Sequence, residues 1–484
     1  MDKKRLLIKI SVIFAWLIIW QIASIIAGNA LVLAGPIDTI SALIGLLGEE
    51  ESYAVMAASC MRIMGGFLLA LVTAYILGGL AYRYKPVEIF LSPVISCMRS
   101  VPVASVTVIV MLWMGSANLA LFVVLLVAFP ILYAGALREL RSVDESRLRL
   151  ARHFHMPSVR RFRMIVLPCA KNGALSDIKL CVGMSFKAGA AAEVIAQPVR
   201  SLGEKIYLSK LYFDTAKLFA WTFIIVLLSF ALSKLTVFVI GRLFGLLMRG
   251  PKACEPGDVV IDAMPGDVLV KNVTVEYDKR NVLDDFDAEV NRGEILQIKG
   301  KSGIGKSTAL KYIQGDLKNE SGTSVIFGGI NVLYQETILI EHLDAVGNVC
   351  CFMKGSLCDN APAATAALLE LLGKELIHKP VSELSGGQRR RVEIVRTMLG
   401  PGGVITMDEP FTGLDEVTED ESRAFIEKYL HERPLIYTSH STDEYLKTKS
   451  NKTIISESSN DQKTSQINSS SASVGVSDGM QKGL

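Results

Sequence analysis

The chain has 484 residues, of which 50% are hydrophobic and 20% charged, and its formal net charge is +3. The mean hydropathy of +0.37 is high for a soluble protein, and so small a net charge argues against a nucleic-acid partner. The eight cysteines include no Cys-x-x-Cys pair. We therefore expect reduced cysteines, with neither a disulfide framework nor a metal site.

Long apolar segments occupy the first half of the chain. A membrane-spanning helix needs roughly 20 mostly apolar residues. Six segments approach this length: Leu6–Ala27, Tyr53–Tyr82, Leu91–Trp113, Leu119–Leu137, Met164–Ala196 and Leu218–Met248. They predict an all-α transmembrane domain of six helices over residues 1–249. The fifth contains charges, which in lipid usually face protein or water. Lys187 there either faces a solute pathway, lies near the membrane edge, or pairs with Glu193 or Asp177.

Basic residues orient these spans. The starting "MDKKR" would lie in the cytosol by the positive-inside rule. Alternation then puts "YRYK" and the residues after the last span on the same side, while the acidic loop 29–52 faces outward. A cleaved signal peptide is the alternative for the first span. It is disfavoured because the apolar stretch is long and further spans follow.

The segment "RLARHFHMPSVRRFRMIVLP" (Arg149–Pro168) lies in one predicted cytosolic loop. Its arginines fit topogenic charge and contact with lipid phosphates. Leu150, Ala151 and Phe154 are also spaced to share one helical face, and Pro157 would end that helix. The pattern predicts a short amphipathic helix at about 144–157 that needs a surface for its apolar face.

A phosphate-binding pattern opens the second half. "GKSGIGKS" (Gly300–Ser307) fits GxxxxGK[ST] and lies between a strand pattern and a helix pattern. Backbone N–H groups would wrap the phosphates of ATP, Lys306 would reach the β- and γ-phosphates, and the Ser307 hydroxyl would ligate Mg²⁺. The expected ATP-binding residues of this loop are Gly300, Ser302, Gly303, Gly305, Lys306, Ser307 and Thr308.

Two further motifs follow in order. "LSGGQ" supplies hydroxyl and backbone donors suited to phosphate through Ser385, Gly386, Gly387 and Gln388. "VITMDEP" is an apolar strand that ends in two acids. There Asp408 would hold Mg²⁺ and Glu409 would polarise the attacking water.

This ordered series resembles the nucleotide-binding domain of an ATP-binding cassette (ABC) transporter, an α/β P-loop NTPase, over about residues 268–450. The resemblance implies that Tyr277 stacks on adenine and that Gln335 touches Mg²⁺ and senses the membrane domain. It also implies that Asp415 belongs to the loop after the acidic motif "VITMDEP" and that His440 is the switch histidine. Catalysis would thus involve Glu409, Gln335 and His440. Lys301 and Ser441 depart from the family, which commonly has Pro and Asp at these positions.

The remaining boundaries follow from composition. Residues 250–266 have the proline, glycine and charge of a linker before a cassette at 267–450. Residues 451–484 are rich in serine and asparagine and are expected to be disordered.

The membrane half is similar to permeases of the nitrate, sulfonate and taurine type, which include permeases for thiamine precursors. "SCMRIMGGF", "SPVISCMRSVPVASVTVIVMLWMG" and "AAAEVIA" support the similarity. The arginine-rich segment falls where those permeases have their coupling helix, with His155 in place of the usual glycine. Leu150, Ala151 and Phe154 would then form the coupling surface.

The two resemblances together imply an importer that fuses permease and ATPase in one chain of the cytoplasmic membrane. It would use ATP and Mg²⁺, act as a homodimer with two composite sites, and receive a small solute from an external binding protein. An exporter is less favoured because exporter helices usually extend far into the cytosol. A transmembrane signalling ATPase is less favoured because such proteins usually have four spans and a large external domain.

Overall fold

The computed structural model describes residues 3–28, 31–277, 280–299, 305–317, 322–439 and 451–455. The chain divides into two compact units. The membrane unit contains Met1–Val143 and Leu167–Leu247, and the ATPase unit contains Asp144–Val166 and Met248–Leu484. The predicted membrane domain 1–249 included the segment 144–166, but this segment packs within the ATPase unit because its apolar face is buried there.

Helices are numbered in chain order. Those of the membrane unit are α1 (Lys3–Ala27), α2 (Pro36–Leu47), α3 (Glu50–Arg83), α4 (Lys85–Ser100), α5 (Val103–Arg141), α8 (Leu167–Ala196), α9 (Leu202–Leu211) and α10 (Thr215–Leu247). Among the described residues, four helices are long and apolar enough to cross a membrane, namely α1, α3, α5 and α10. The helix α8 has 30 residues, but its charges lower its hydropathy. The count of six spans stays a prediction.

The predicted third span, Leu91–Trp113, is wrong as one continuous helix. The helix α4 ends at Ser100, and Val101 is extended before Pro102, because a residue that precedes proline disfavours the helical conformation. The helix α5 has a second break at Gly115, whose φ of +71° is left-handed. Proline and glycine therefore divide this region into shorter helical pieces.

Close packing of α3, α5 and α8 forms the centre of the membrane unit. Phe67, Leu132 and Phe186 are buried there. Gly66 and Gly189 allow these helices to approach, since a Cβ at Gly66 would lie 2.6 Å from a backbone oxygen of α5 and one at Gly189 would lie 2.7 Å from a side-chain atom of α3. Small residues commonly permit such contacts between membrane helices.

One fully buried carboxylate joins α3, α8 and the start of α9. Glu193 accepts hydrogen bonds from Arg62 Nε at 3.0 Å and from Ser59 Oγ at 2.7 Å. Ser59 Oγ in turn accepts from the N–H of Leu202 at 2.9 Å. Glu193 therefore pairs with Arg62, while Asp177 pairs with Arg138 at 2.8 Å. Both acids thus pair with arginines, so the alternative in which Lys187 pairs with Glu193 or Asp177 is wrong. A role of Lys187 in a solute pathway stays a prediction.

The ATPase unit begins with the arginine-rich segment, which forms α6 (Glu145–His153), α7 (Ser158–Arg161) and a π-helical turn (Phe162–Val166). Its later helices are α11 (Lys306–Ile313), α12 (Ala345–Cys350), α13 (Ala361–Leu371), α14 (Gly386–Leu399) and α15 (Glu416–Tyr429). Its strands are β1 (Val268–Tyr277), β2 (Arg280–Val290), β3 (Ile295–Lys299), β4 (Thr323–Ile326), β5 (Ile330–Leu333), β6 (Val404–Met407), β7 (Leu435–Ser439) and β8 (Asn451–Ile455).

Two sheets organise the ATPase unit. The antiparallel sheet has the order β2-β1-β4, and the parallel sheet has the order β5-β6-β7-β3-β8. Every residue of β5 and β6 is buried, as expected for parallel strands covered on both faces. The carboxyl ends of parallel strands lie at the same edge. The described residues that directly follow β5 and β6 therefore lie at this edge, and they include Gln335, Asp408 and Glu409.

The linker 250–266 stays a prediction. It has no helix or strand, and the N–H groups of Gly257 and Gly266 donate to the carbonyl oxygens of Pro362 and Gly403. The predicted start of the tail needs correction. The disordered tail was predicted from residue 451, but residues 451–455 form β8, whose backbone pairs with β3. The branched residues of "NKTII" suit a strand, and the overall polarity of the tail concealed them.

Candidate active site

The start of α11 carries the first part of the site. Gly305 precedes the helix with a φ of +103°, and a Cβ there would lie 2.8 Å from the carbonyl oxygen of Val282. Glycine is therefore required at this turn. Lys306 is buried, and Ser307 Oγ donates to Asp408 Oδ1 at 3.4 Å. Thr308 follows on the same helix.

The two acids follow β6 directly. Asp408 is buried and accepts a 2.6 Å hydrogen bond from Thr438 Oγ1 on the neighbouring strand β7. The same hydroxyl oxygen accepts from the N–H of Glu409 at 3.0 Å. Glu409 has a left-handed φ of +46°, which costs a non-glycine residue about 1 to 3 kcal/mol. Such a conformation persists only where surrounding contacts hold it.

The Glu409 side chain contacts the loop after β5. Its Oε2 accepts hydrogen bonds from Gln335 Nε2 and from Thr412 Oγ1, both at 3.2 Å. Gln335 is exposed. The structure thus brings together Ser307, Asp408, Glu409 and Gln335, which sequence reasoning had assigned to one site.

The "LSGGQ" residues begin α14. The side chains of Ser385 and Gln388 form a reciprocal capping box at the helix start, which satisfies two of its free N–H groups. Ser385 and Gly386 are exposed, and Gly387 is partly exposed. Asp415 caps α15 through the N–H of Thr418 at 3.0 Å, and this hydrogen bond lowers the pKa of its carboxyl.

Several predicted site residues lie outside the described residues: Gly300, Ser302, Gly303 and His440, together with the departures Lys301 and Ser441. For Tyr277 the structure describes the backbone as the end of β1 but not the side chain. The predictions for these residues stay predictions.

Arg390 is a residue that sequence reasoning missed. It is buried on α14, and its guanidinium donates to the carbonyl oxygens of Tyr334, Asp408, Glu409 and Pro410 at 2.6 to 3.0 Å. In the sequence it is the second of three consecutive arginines, a run that is typical of a solvated helix face. Only its position around the helix distinguishes it, because Ser385 and Gly386 at the start of α14 are exposed whereas Arg390 lies on the buried face.

The arginine-rich segment packs on the same unit. Leu150, Ala151 and Phe154 are each at most 2% exposed, so the predicted apolar face is buried. The Phe154 ring meets Phe352 edge-on with centroids 5.2 Å apart. Burial of a large apolar side chain contributes about 1.5 to 3 kcal/mol.

Polar contacts fix the segment in place. His153 Nε2 lies 3.0 Å from Asp316 Oδ1, and the hydroxyl of Tyr334 donates to Asp316 Oδ2 at 2.9 Å. Burial raises the pKa of Asp316, but its contacts with His153 and Tyr334 outweigh burial and leave that pKa below its usual value. Burial and the neighbouring Asp316 carboxylate raise the pKa of Tyr334.

A second group of contacts lies beyond the helix. Arg160 donates to the carbonyl oxygens of Cys351 and Met353 at 3.3 and 2.8 Å. His155 has a left-handed φ of +50°, which glycine adopts more readily. The position where the permease resemblance expects glycine has therefore kept the glycine-like backbone despite the substitution.

Comparison with known proteins identifies two family models in this chain. Residues 283–412 match the family model described as ABC transporter, and residues 62–249 match the model described as binding-protein-dependent transport system inner membrane component. The chain is 30% identical to the aliphatic sulfonates import ATP-binding protein 2 of Rhodococcus jostii, over 37% of this chain and 75% of that protein.

Two further relatives are also ATP-binding proteins of transporters. The ergothioneine transport ATP-binding protein of Helicobacter pylori is 33% identical, over 34% of this chain and 84% of its own. The thiamine import ATP-binding protein of Salmonella typhimurium is 34% identical, over 33% of this chain and 74% of its own. A solved dimeric cassette in a post-hydrolysis state, bound to ADP and Pi, is 24% identical, with a TM-score of 0.36 over 39% of this chain and 94% of its own.

The chain belongs to the ABC transporter family, and its helical half is the permease component of that family. It is an ABC importer with permease and ATPase in one chain, a membrane protein that binds nucleotide and couples ATP hydrolysis to transport. The exporter and signalling alternatives are not supported, because the permease model describes binding-protein-dependent transport.

Proposed function

We propose that this importer works as a homodimer with two composite ATP sites, and that hydrolysis depends on Glu409. The observation that supports the role of Glu409 most directly is the cluster at the carboxyl edge of the parallel sheet. There Ser307 contacts Asp408, and Gln335 contacts Glu409. Two oxygen-bearing groups next to a phosphate-binding turn and an adjacent second acid match the requirements of phosphoryl transfer.

Mg²⁺ fits these residues. The hydroxyl of Ser307 and the carboxylate of Asp408 are 3.4 Å apart, and Mg²⁺ prefers oxygen ligands, few of them from protein. Ser307, Asp408 and Gln335 would hold the ion, which when bound neutralises negative charge on the phosphates. Phosphate oxygens and water would complete its shell, since Mg²⁺ usually keeps several waters.

The protein's own residues supply the remaining chemistry. Lys306 and the backbone of Gly300–Thr308 bind the phosphates, and Tyr277 stacks on the base. Glu409 accepts a hydrogen bond from the attacking water and orients it towards the γ-phosphate, and His440 contacts the same phosphate. As the ABC family resemblance implies, Ser385, Gly386, Gly387 and Gln388 would complete the site of a second copy, with Asp415 beside them.

The helix α6 would serve as the coupling helix. Its apolar face is buried in the ATPase unit, while the segment 144–166 is joined covalently to α5 at one end and α8 at the other. Closure of two ATPase units around ATP would therefore move a segment that is continuous with two central membrane helices. This requires the N-terminus and the ATPase unit to lie in the cytosol, as the basic loops also suggest.

The transported solute would be small and delivered by an external solute-binding protein. The relatives are named for sulfonates, ergothioneine and thiamine, which differ in charge and shape. A sulfonate, nitrate, taurine or thiamine-precursor-like solute fits the permease resemblance.

The first experiment measures ATP hydrolysis by the purified full chain in proteoliposomes with Mg²⁺. Glu409→Gln should retain ATP binding but lose hydrolysis by at least about 100-fold, the scale on which misplaced catalytic groups act. Glu416→Gln, an exposed acid on α15, is the matched control and should hydrolyse normally. Unchanged hydrolysis by Glu409→Gln would contradict the assignment.

A co-expression experiment tests the composite sites. Lys306→Ala removes the phosphate contact, and Ser385→Arg blocks the "LSGGQ" surface, so each variant alone should trap no ATP. A mixed dimer of the two carries both defects in one site and leaves the other site intact. It should trap about one ATP per dimer after isolation through two different tags. If the mixed dimer traps none, the sites are not shared between chains.

A further inference from the structure

A buried set of charges on α14 connects the loop after β5 to the catalytic acids. Arg390, Glu393 and Arg396 are each at most 4% exposed. Their spacing places them on one face of the helix. Glu393 contacts both arginines, at 3.3 and 3.6 Å. None of these residues belongs to the motifs that bind nucleotide.

The guanidinium of Arg390 uses all of its donors. Nε donates to Pro410, Nη1 to Tyr334 and to Glu393, and Nη2 to both Asp408 and Glu409. An arginine has five N–H groups in a fixed planar fork, and five acceptors surround this one. A lysine, with three donors on a single atom, could not reach the same set.

These contacts hold the backbone on both sides of the site. On one side they fix the carbonyl of Tyr334, the residue before Gln335. On the other they fix the carbonyl of Glu409, whose left-handed φ needs external support. The N–H of Glu409 is held by Thr438 at 3.0 Å. The N–H of Thr412 donates to the Glu409 carbonyl at 3.3 Å, and Arg390 donates to the same carbonyl at the shorter distance of 2.8 Å.

Glu393 and Arg396 hold the same loop further along. Glu393 Oε1 accepts from the N–H of Ile338 at 2.7 Å, and Arg396 Nη1 donates to the carbonyl of Ile338 at 2.5 Å. The stretch from Tyr334 to Ile338 is thus attached at both ends to one face of α14. Because Arg390 contacts the carbonyls of both Tyr334 and Glu409, a displacement of Tyr334 would shift Arg390 and, through it, the backbone of Glu409.

Tyr334 is also the point that the arginine-rich segment touches. Its hydroxyl shares the carboxylate of Asp316 with His153 of α6, and the rings of His153 and Tyr334 are 6.4 Å apart. A continuous set of contacts runs from His153 through Asp316 and Tyr334 to Arg390, and from there to Glu409.

We propose that Arg390 is a positioning residue for Glu409 and that α6 influences ATP hydrolysis through Tyr334 and Arg390. This rests on the proposed role of Glu409 as the group that orients the attacking water. The donors of Arg390 are all directed at protein acceptors. It acts by keeping the Glu409 carboxylate in place and by tying that position to the loop that α6 contacts.

The test compares Arg390→Gln with Arg391→Gln in the full chain in proteoliposomes. Arg391 is the next residue of the same helix but donates to the carbonyl of Leu371, away from the acids. Arg390→Gln should lower kcat by about 100-fold, as a misplaced catalytic group does, with the KM for ATP and the affinity for a fluorescent ATP analogue within about two-fold of wild type. Arg390→Lys should recover less than about a tenth of the activity, and Arg391→Gln should lose little.

The route from α6 is tested with Tyr334→Phe, which removes one hydroxyl and keeps the backbone carbonyl. It should lower kcat about five-fold, at the lower end of couplings between sites, and the same change in an Arg390→Lys background should have no further effect. Such non-additivity identifies residues that act together.

The outcomes separate cleanly. If Arg390→Gln keeps kcat within about five-fold of wild type while Glu409→Gln is inactive, the inference is wrong and the proposed function stands. If Glu409→Gln is active, the proposed function itself fails. If Arg390→Gln does not fold, Tyr334→Phe decides the matter, because unchanged kcat there overturns the route.

Discussion

In the membrane unit a fully buried carboxylate, Glu193, is satisfied mainly by the side chains of Arg62 and Ser59. In the ATPase unit, buried arginines such as Arg390 and Arg433 are satisfied mainly by backbone carbonyls. The helices of the membrane unit already pair their own backbone groups, as lipid requires. Loops and helix C-termini of the ATPase unit leave carbonyl groups without a backbone donor, so arginine side chains supply the missing donors.

The difference bears on function. In the membrane unit the buried charge joins helices that are far apart in sequence, since Ser59 and Glu193 are separated by 134 positions. In the ATPase unit the buried Arg390 joins the loop after β5 to the two acids after β6. A buried ion pair is weak evidence for stability in itself. Its position identifies the secondary-structure elements that it holds together.

The largest expected effect comes from breaking the pair in the membrane unit. Glu193→Leu leaves the Arg62 guanidinium and the Ser59 hydroxyl without their acceptor, and should destabilise the fold by about 3 to 5 kcal/mol. Thermal unfolding of the purified protein in detergent measures this. Glu193→Gln keeps the shape and the acceptor oxygen and should lose clearly less. Equal losses in both variants would show that charge is what matters there.

A smaller effect is expected from a buried arginine of the ATPase unit. Arg433 is fully buried and donates to the carbonyls of Leu430, Met398 and Tyr429, and burial lowers its pKa to about 10. Arg433→Met leaves these carbonyls short of donors and should cost about 1 to 3 kcal/mol. Arg292→Met, at an exposed position, is the control and should be nearly neutral. A loss larger than that of Glu193→Leu would reverse the comparison.

The smallest effect is expected at an exposed ion pair of the membrane unit. Lys205 and Glu51 are 2.7 Å apart, but Glu51 is 65% exposed. Water and salt weaken such pairs, so Lys205→Met should change stability by less than either buried substitution. The measurement is the melting temperature of each variant, Lys205→Met and Glu193→Leu, at low and at high salt. Salt should change the effect of the exposed pair more than that of the buried pair.

The motifs of the ATPase unit could be predicted because each one places particular chemistry at the end of a strand. Spacing alone identified Ser307, Asp408 and Glu409, and the structure brings them together. The helical phase of Leu150, Ala151 and Phe154 likewise predicted the buried face of α6. These predictions depend on local periodicity and on strand order, both of which a sequence shows.

The remaining features depend on contacts between distant residues. The pairing of Glu193 with Arg62 and the role of Arg390 on the acid loop involve partners that no local pattern indicates. The break between α4 and α5 could have been expected from Pro102, but the apolar run across it was read as one span. The strand at 451–455 was missed because its neighbours are polar.

The ATPase unit is discontinuous in sequence, since residues 144–166 return to it from between two membrane helices. A fragment cut at the linker 250–266 would lack Phe154, which packs against Phe352, and His153, which lies beside Tyr334. Such a fragment would expose an apolar surface and invite aggregation. Any attempt to produce the soluble half alone should therefore supply this 23-residue piece as a fused or added peptide, much as a split protein needs its complementing fragment.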